Sequence, residues 1–162
     1  MRVTPSHDPA FGDNRPCLVR FRDSREVDRV YVEDINQLIG DADRWKHGSL
    51  ERVLADLQAR NLPLEGVVAI EESPTRLPPG LANKIFAAGE TGMGYFEFGV
   101  VLSDGRILEG HSGGSLDFLE LPTGIEAGMI SDVIPNRLAS RPPDVTGAEY
   151  FYCLYSSDVG SS

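Results

Sequence analysis

The stretch Thr91 to Ser115, TGMGYFEFGVVLSDGRILEGHSGGS, joins two strand patterns through one clear turn, and its reading decides the fold. Tyr95 to Leu102 is rich in aromatic and β-branched residues, and Arg106 to Gly110 resumes an extended pattern. Ser103-Asp104-Gly105 between them has the composition of a turn, so the segment reads as a β-hairpin.

Two registers compete for that hairpin, and a slip of one residue turns every side chain on a strand to the other face. A two-residue Asp104-Gly105 loop sets Leu102 opposite Ile107, Val100 opposite Glu109 and Phe98 opposite His111. That places a carboxylate and an imidazole among apolar side chains, which is costly unless they are paired. A three-residue loop, a type I turn closed by Gly105 in the left-handed region, sets Val100 opposite Leu108, Val101 opposite Ile107 and Glu97 opposite His111. The second register is preferred. It makes Phe96, Phe98, Val100, Leu102 and Leu108 a core face and gathers Tyr95, Glu97, Glu109 and His111 on the other, with Val101 and Ile107.

Two carboxylates and an imidazole on one face are a set that can move a proton or contribute metal ligands. The same face is equally described as the solvated side of an antiparallel sheet, which is ordinarily polar. Gly110-His111-Ser112-Gly113-Gly114 follows a strand and partly matches a nucleophile elbow, with Ser112 at the serine position. No histidine follows Ser112, however, and a serine-protease order would need His7 or His47 as base without a supporting pattern. The three histidines share no metal-type spacing, and no phosphate-binding glycine loop opens a helix, so neither a metal nor a cofactor is expected.

Working outward, residues 1–16 carry Pro5, Pro9, Gly12 and Pro16 and read as an irregular N-terminal arm. Cys17 to Arg22 and Val27 to Val32 read as a hairpin around Asp23-Ser24-Arg25. Glu33 to Ile39 has helical spacing, with Gly40 as its stop, and Asp41 to Gly48 is a polar connector carrying Trp45 and His47. Ser49 is the N-cap of the best helix, whose apolar face is Leu50, Val53, Leu54 and Leu57. Gly66 to Ile70 is a buried-strand candidate, Ser73 to Gly80 is a proline-rich loop, and Leu81 to Ala88 is a short helix that Gly89 terminates. Leu116 to Leu121 is ambiguous between helical turn and strand, Met129 to Ile134 is a strand, residues 135–147 are a loop, and Glu149 to Tyr155 is a last aromatic strand.

These elements predict one α+β domain over residues 17–155, followed by a flexible tail at 156–162. Its sheet is mostly antiparallel, with one main amphipathic helix and shorter helices packed on one side. Cys17 and Cys153 sit in apolar strands and are expected as buried reduced thiols, a bridge being possible only if their strands are neighbours.

With 162 residues, 41% hydrophobic and 25% charged, the composition is that of an ordinary globular protein. The N-terminus lacks the apolar core of a signal peptide and no run approaches a membrane span, so the expected location is cytoplasmic, with no membrane partner. The formal charge of −10 is uneven: residues 1–81 hold 11 basic and 14 acidic side chains, residues 82–162 hold 4 and 11. An acidic surface of this kind repels phosphate backbones, which excludes nucleic acid, and favours a basic protein partner.

No motif assigns an activity. Size and charge favour a non-enzymatic acidic protein-binding module, of the inhibitor or immunity-protein kind, engaging a basic protein surface through Glu120, Glu126, Asp132, Tyr150 and Tyr152. The alternative is a small hydrolase-like enzyme using Glu97, Glu109 and His111 near Ser112. Oligomeric state has no signature in the sequence.

Overall fold

The computed structural model describes residues 3–9, 12–37, 50–113 and 115–156. In chain order its elements are β1 (Ser6–Asp8), β2 (Gly12–Asn14), β3 (Pro16–Phe21), β4 (Glu26–Asp34), α1 (Leu50–Arg60), β5 (Val67–Glu72) and α2 (Pro79–Ala88). They continue as β6 (Phe96–Leu102), β7 (Ile107–Ser112), β8 (Leu119–Glu120), a 3-10 turn at Ala127–Met129, β9 (Ile130–Pro135), β10 (Val145–Gly147) and β11 (Phe151–Tyr155).

The hairpin of β6 and β7 has the three-residue loop. Val100 pairs with Leu108, Val101 with Ile107 and Glu97 with His111. Gly105 has φ 89°, a region that costs glycine nothing, and its N–H donates to Leu102 O at 2.9 Å. Phe98, Val100 and Leu102 are buried on the core side as that register requires.

This hairpin is the centre of a five-stranded sheet in the order β8-β10-β7-β6-β9. A second sheet of four strands runs β11-β4-β3-β5, and β1 and β2 form a two-stranded ribbon. The architecture is therefore sheet-rich with few helices. Pairing is mostly antiparallel, but β10 runs parallel to β7 and β11 parallel to β4.

Three clusters hold these layers. α2 lays Ala82, Ile85 and Phe86 against Phe98, Val100, Leu102, Val133 and Val145 of the five-stranded sheet, with Leu116 of the β7–β8 connection in the same cluster. Proline is tolerated in the first turn of a helix, where its missing N–H has no partner in any case, so α2 starts at Pro79 rather than Leu81. Gly89 ends it at φ 81°. Cys17, Val19, Phe21, Val30, Val32 and Cys153 form the second cluster, on the four-stranded sheet. Tyr31, Phe118 and Ala148, with Tyr150 and Tyr152 against them, join the two sheets.

Several expectations are revised. Residues 6–8 and 12–14 pair as a ribbon where an irregular arm was expected, and residues 145–147 form a strand inside the expected loop. The two described helices are of similar length, 11 and 10 residues, and serve different sheets instead of one main helix dominating a single side. Leu57 is buried, whereas the side chains of Leu50, Val53 and Leu54, the Ser49 cap, Trp45, His47 and residues 157–162 of the expected tail lie outside the described residues. Ile35 to Gln37 are helical, but Glu33 and Asp34 of that expected helical stretch are the end of β4, and Leu38 and Ile39 lie outside the described residues.

Cys17 and Cys153 are free and buried, and β4 lies between their strands. Two strand spacings put them roughly 10 Å apart, beyond disulfide reach. Burial, then the neighbouring Cys153 thiol, push Cys17 up to about 12.

Candidate functional site

Alternation along each strand, with the pairing of five strands, fixes what the outward face of the large sheet presents. Glu97 lies opposite His111, His111 opposite Thr146 of β10, and Thr146 opposite Glu120 of β8. These four side chains form a polar row across β6, β7, β10 and β8. The Tyr95 ring stacks on the His111 imidazole, centroids 5.3 Å apart and planes 20° from parallel.

The next row holds Glu109, Gly99 and Ile134, and the one beyond it Ile107, Val101 and Asp132. A Cβ at Gly99 would lie 2.9 Å from Arg137 Cδ, 3.3 Å from Ile107 Cγ2 and 3.4 Å from Ile134 Cβ. The aliphatic stem of Arg137 therefore crosses the sheet over Gly99, closing an apolar strip made by Ile107, Val101 and Ile134. The guanidinium end reaches Glu109, Nε to Oε2, at 3.7 Å.

Sequence reasoning treats Glu97, Glu109, His111 and Ser112 as one set, but the geometry separates them. Glu97 and His111 are half-buried neighbours on the open face. Glu109 shares that face but is only 4% exposed, covered by the segment after β9: its N–H donates to Asp144 Oδ2 at 2.9 Å, and Asp144 in turn is held by Arg141 at 2.8 Å. Ser112 points to the opposite, core side. Its Oγ donates to Ser115 O at 2.6 Å and rests against Gly147, where a Cβ would come within 2.5 Å of it. The glycine-serine run is thus a strand end packed on β10, and its hydroxyl is turned away from the imidazole.

The expected partner-binding residues also divide. Glu120 and Asp132 are exposed on the same outward face as Glu97, paired with Arg29 at 3.3 Å and Lys84 at 2.9 Å. The hydrogen bond from Lys84, then the Val133 N–H, lower the Asp132 carboxyl below its ordinary range. Glu126 is exposed just before the 3-10 turn. Tyr150 and Tyr152 belong to the junction of the sheets, half-buried against Tyr31 at 5.1 and 6.3 Å between centroids, with the Arg60 guanidinium 5.2 Å over Tyr150. No cation among the described residues pairs with Glu97. A cleft of about 360 Å³ lined by Ile35, Leu57, Asn61, Leu154 and Tyr155 lies against the other sheet, away from the carboxylates and the imidazole.

No family model matches the chain, and neither a curated protein nor a solved structure is similar to it. The geometry of its own residues is therefore the ground for a functional reading. Among the described residues no group of three or more potential ligands is placed to hold a metal, and no helix is long and apolar enough to cross a membrane.

One polar constellation went unseen in the sequence. Arg76 and Asp117, both buried, meet where the ribbon, the β5–α2 connection and the β7–β8 connection converge. Arg76 Nη1 donates to Thr4 O at 2.6 Å and to Glu72 Oε2 at 3.0 Å, and Nη2 stands 3.8 Å from Asp117 Oδ1. Tyr31 Oη donates to Asp117 Oδ2 at 2.8 Å and touches Ser115 Oγ. Burial raises the Asp117 carboxyl above its ordinary range, outweighing Ser6, Tyr31 and the Arg76 charge. Burial, then the Asp117 charge, raise the Tyr31 hydroxyl. Both charges stand beside leucines and phenylalanines in sequence, at Leu77, Leu116 and Phe118, with no periodicity to mark them as partners.

Proposed function

We propose that this chain is a non-enzymatic acidic protein-binding module, of the inhibitor or immunity-protein kind, that takes a basic protein surface on the outward face of its five-stranded sheet. The observation that supports this most is the make-up of that face. Ile107 and Ile134 are 37% and 36% exposed beside Val101, with Glu97 and the Lys84-paired Asp132 in the adjoining positions and the Arg29-paired Glu120 at the far edge of the same sheet. Protein interfaces combine an apolar centre with a polar rim in this way, and a rim of carboxylates selects a basic partner and speeds its approach. The net charge of −10 acts in the same direction at longer range.

The hydrolase alternative draws on the Glu97–His111 pairing alone. Against it stand the covered position of Glu109 and the inward direction of Ser112, since a nucleophile must reach its base.

The test is co-purification from the native host with tagged parent and with Ile107→Glu, a change at an exposed position that leaves the core untouched. The parent should retain one basic protein in stoichiometric amount, released as salt is raised, and Ile107→Glu should not retain it. Retention of the same protein by both, or of none by the parent, counts against the reading.

A further inference from the structure

Four buried polar atoms meet at the junction of the sheets without a well-formed hydrogen bond among the described residues: Arg76 Nε, Arg76 Nη2, Asp117 Oδ1 and Ser6 Oγ, the last close enough to Asp117 to lower its carboxyl. Their residues are nearly sealed from solvent, with side chains 4% exposed at Arg76 and 1% at Asp117, and Ser6 fully buried. Buried donors and acceptors in folded proteins are almost always satisfied, and one left alone costs its full desolvation penalty. Four such atoms in one place therefore describe a binding site.

We infer that this site holds an internal water molecule that accepts from the Arg76 fork and donates to Asp117 and Ser6, fastening the N-terminal ribbon to both sheets. The spacing fits one water. Arg76 Nη2 and Asp117 Oδ1 are 3.8 Å apart, too far for a direct hydrogen bond. Two contacts of roughly 2.8 Å span that gap with an angle of about 85° at the water oxygen.

The charge of the surroundings excludes the other small occupants. Asp117 and Glu72 face Arg76, and Asp8 lies near enough to act on Asp117, so an anion would meet three carboxylates and one guanidinium. A metal ion would meet the N–H edge of Arg76, which has no lone pair to give. Water both accepts and donates, and it matches the two kinds of atom present: Arg76 only donates, the Asp117 carboxylate only accepts, and the Ser6 hydroxyl does either. Three or four partners is the usual number for a buried water.

The site ties together parts of the chain that are distant in sequence. Ser6 belongs to β1, Arg76 follows β5, and Asp117 lies between β7 and β8, where its carbonyl accepts from Leu77 N–H at 2.7 Å. Tyr31 of β4 holds the other carboxylate oxygen. The water thus completes a polar bridge that joins the ribbon to the connections of both large sheets.

A crystal structure of the parent at about 1.5 Å resolution should show a well-ordered peak within roughly 3.2 Å of at least three of the four atoms. A direct Arg76–Asp117 contact of roughly 3.0 Å with no such peak overturns the inference. Oxygen-17 relaxation dispersion supplies a second reading in solution. Ser6→Val, which fills the space beside Asp117 and removes one partner, should lose the signal of one long-lived water relative to the parent, and an unchanged dispersion amplitude overturns the inference. Should that variant not fold, the crystal structure of the parent still decides.

Discussion

Gly110 and Phe98 face each other across β6 and β7, and the contact is close enough to test by adding a single methyl group. A Cβ built on Gly110 would lie 2.4 Å from Phe98 Cε2, 2.7 Å from Cδ2 and 2.8 Å from Cζ. Ordinary contact at such a position is 3.4–4 Å, so the ring would have to retreat by about 1 Å. It has nowhere to go: Phe98 is fully buried among Val100, Leu116 and Val145. Overpacking of this kind costs ~1–3 kcal/mol, and three ring atoms in conflict place Gly110→Ala toward the upper end.

Phe98→Ala alone should cost ~3–5 kcal/mol through lost burial and the cavity left behind. In that background the added methyl enters empty space, so Gly110→Ala should then be close to neutral. The coupling, measured by urea melts of the four proteins at a common m-value, should be ~1–3 kcal/mol, with Phe98→Leu as the background if the alanine variant is too unstable. Equal costs of Gly110→Ala in both backgrounds would mean that residue 110 does not face residue 98. The three-residue loop would then be wrong, and with it the placement of Glu97 beside His111.

Other consequences follow from burial and charge. Cys17 and Cys153 should resist Ellman's reagent at about pH 8 in the native protein and react once urea unfolds it, since burial keeps both thiols protonated; rapid native reaction would contradict their placement. Asp117 has a folded value raised above its ordinary 3.8, so its contribution to stability is full below that value and is lost as pH rises through the folded one. Asp117→Asn removes that loss, and its stability relative to the parent should therefore improve as pH rises above the ordinary Asp117 value, whereas a relative decline would show the carboxylate to be favoured in the fold. Arg137→Ala uncovers Gly99 and leaves the buried Glu109 carboxylate without its cation, a loss of ~1–3 kcal/mol by thermal or urea melts. No measurable loss would mean that Glu109 is solvated through the face.

The hairpin was legible because two independent signals agreed. Ser103-Asp104-Gly105 fixes the loop length, and the alternation of Phe96, Phe98, Val100 and Leu102 fixes which side is core. The same two signals gave the β3–β4 hairpin, with Ser24 at φ 70° in its turn. What escaped had no local pattern. Each strand of the ribbon is three residues long and mostly polar, and it is specified by partners such as Asn83, which accepts from His7 N–H at 2.7 Å. β10 offers one buried apolar residue, Val145, inside a proline-rich segment, and its parallel pairing with β7 depends on a contact 35 residues away that no short-range period records. The face carrying Glu97, Glu109 and His111 followed from the register. Its division did not, because the cover over Glu109 and the inward turn of Ser112 come from Arg137, Asp144 and Gly147, which lie in a loop and a strand the sequence left unpaired.

The most direct test of the binding face is site-specific photo-crosslinking in the native host, with benzoylphenylalanine placed at Ile107 in one protein and at Val68 in another. Val68 is 58% exposed on β5 of the other sheet and is the control for exposure alone. A crosslink from position 107 to one basic protein, weakened by salt and absent from position 68, is the expected result. Capture of that protein from position 68 and not from 107 would contradict it.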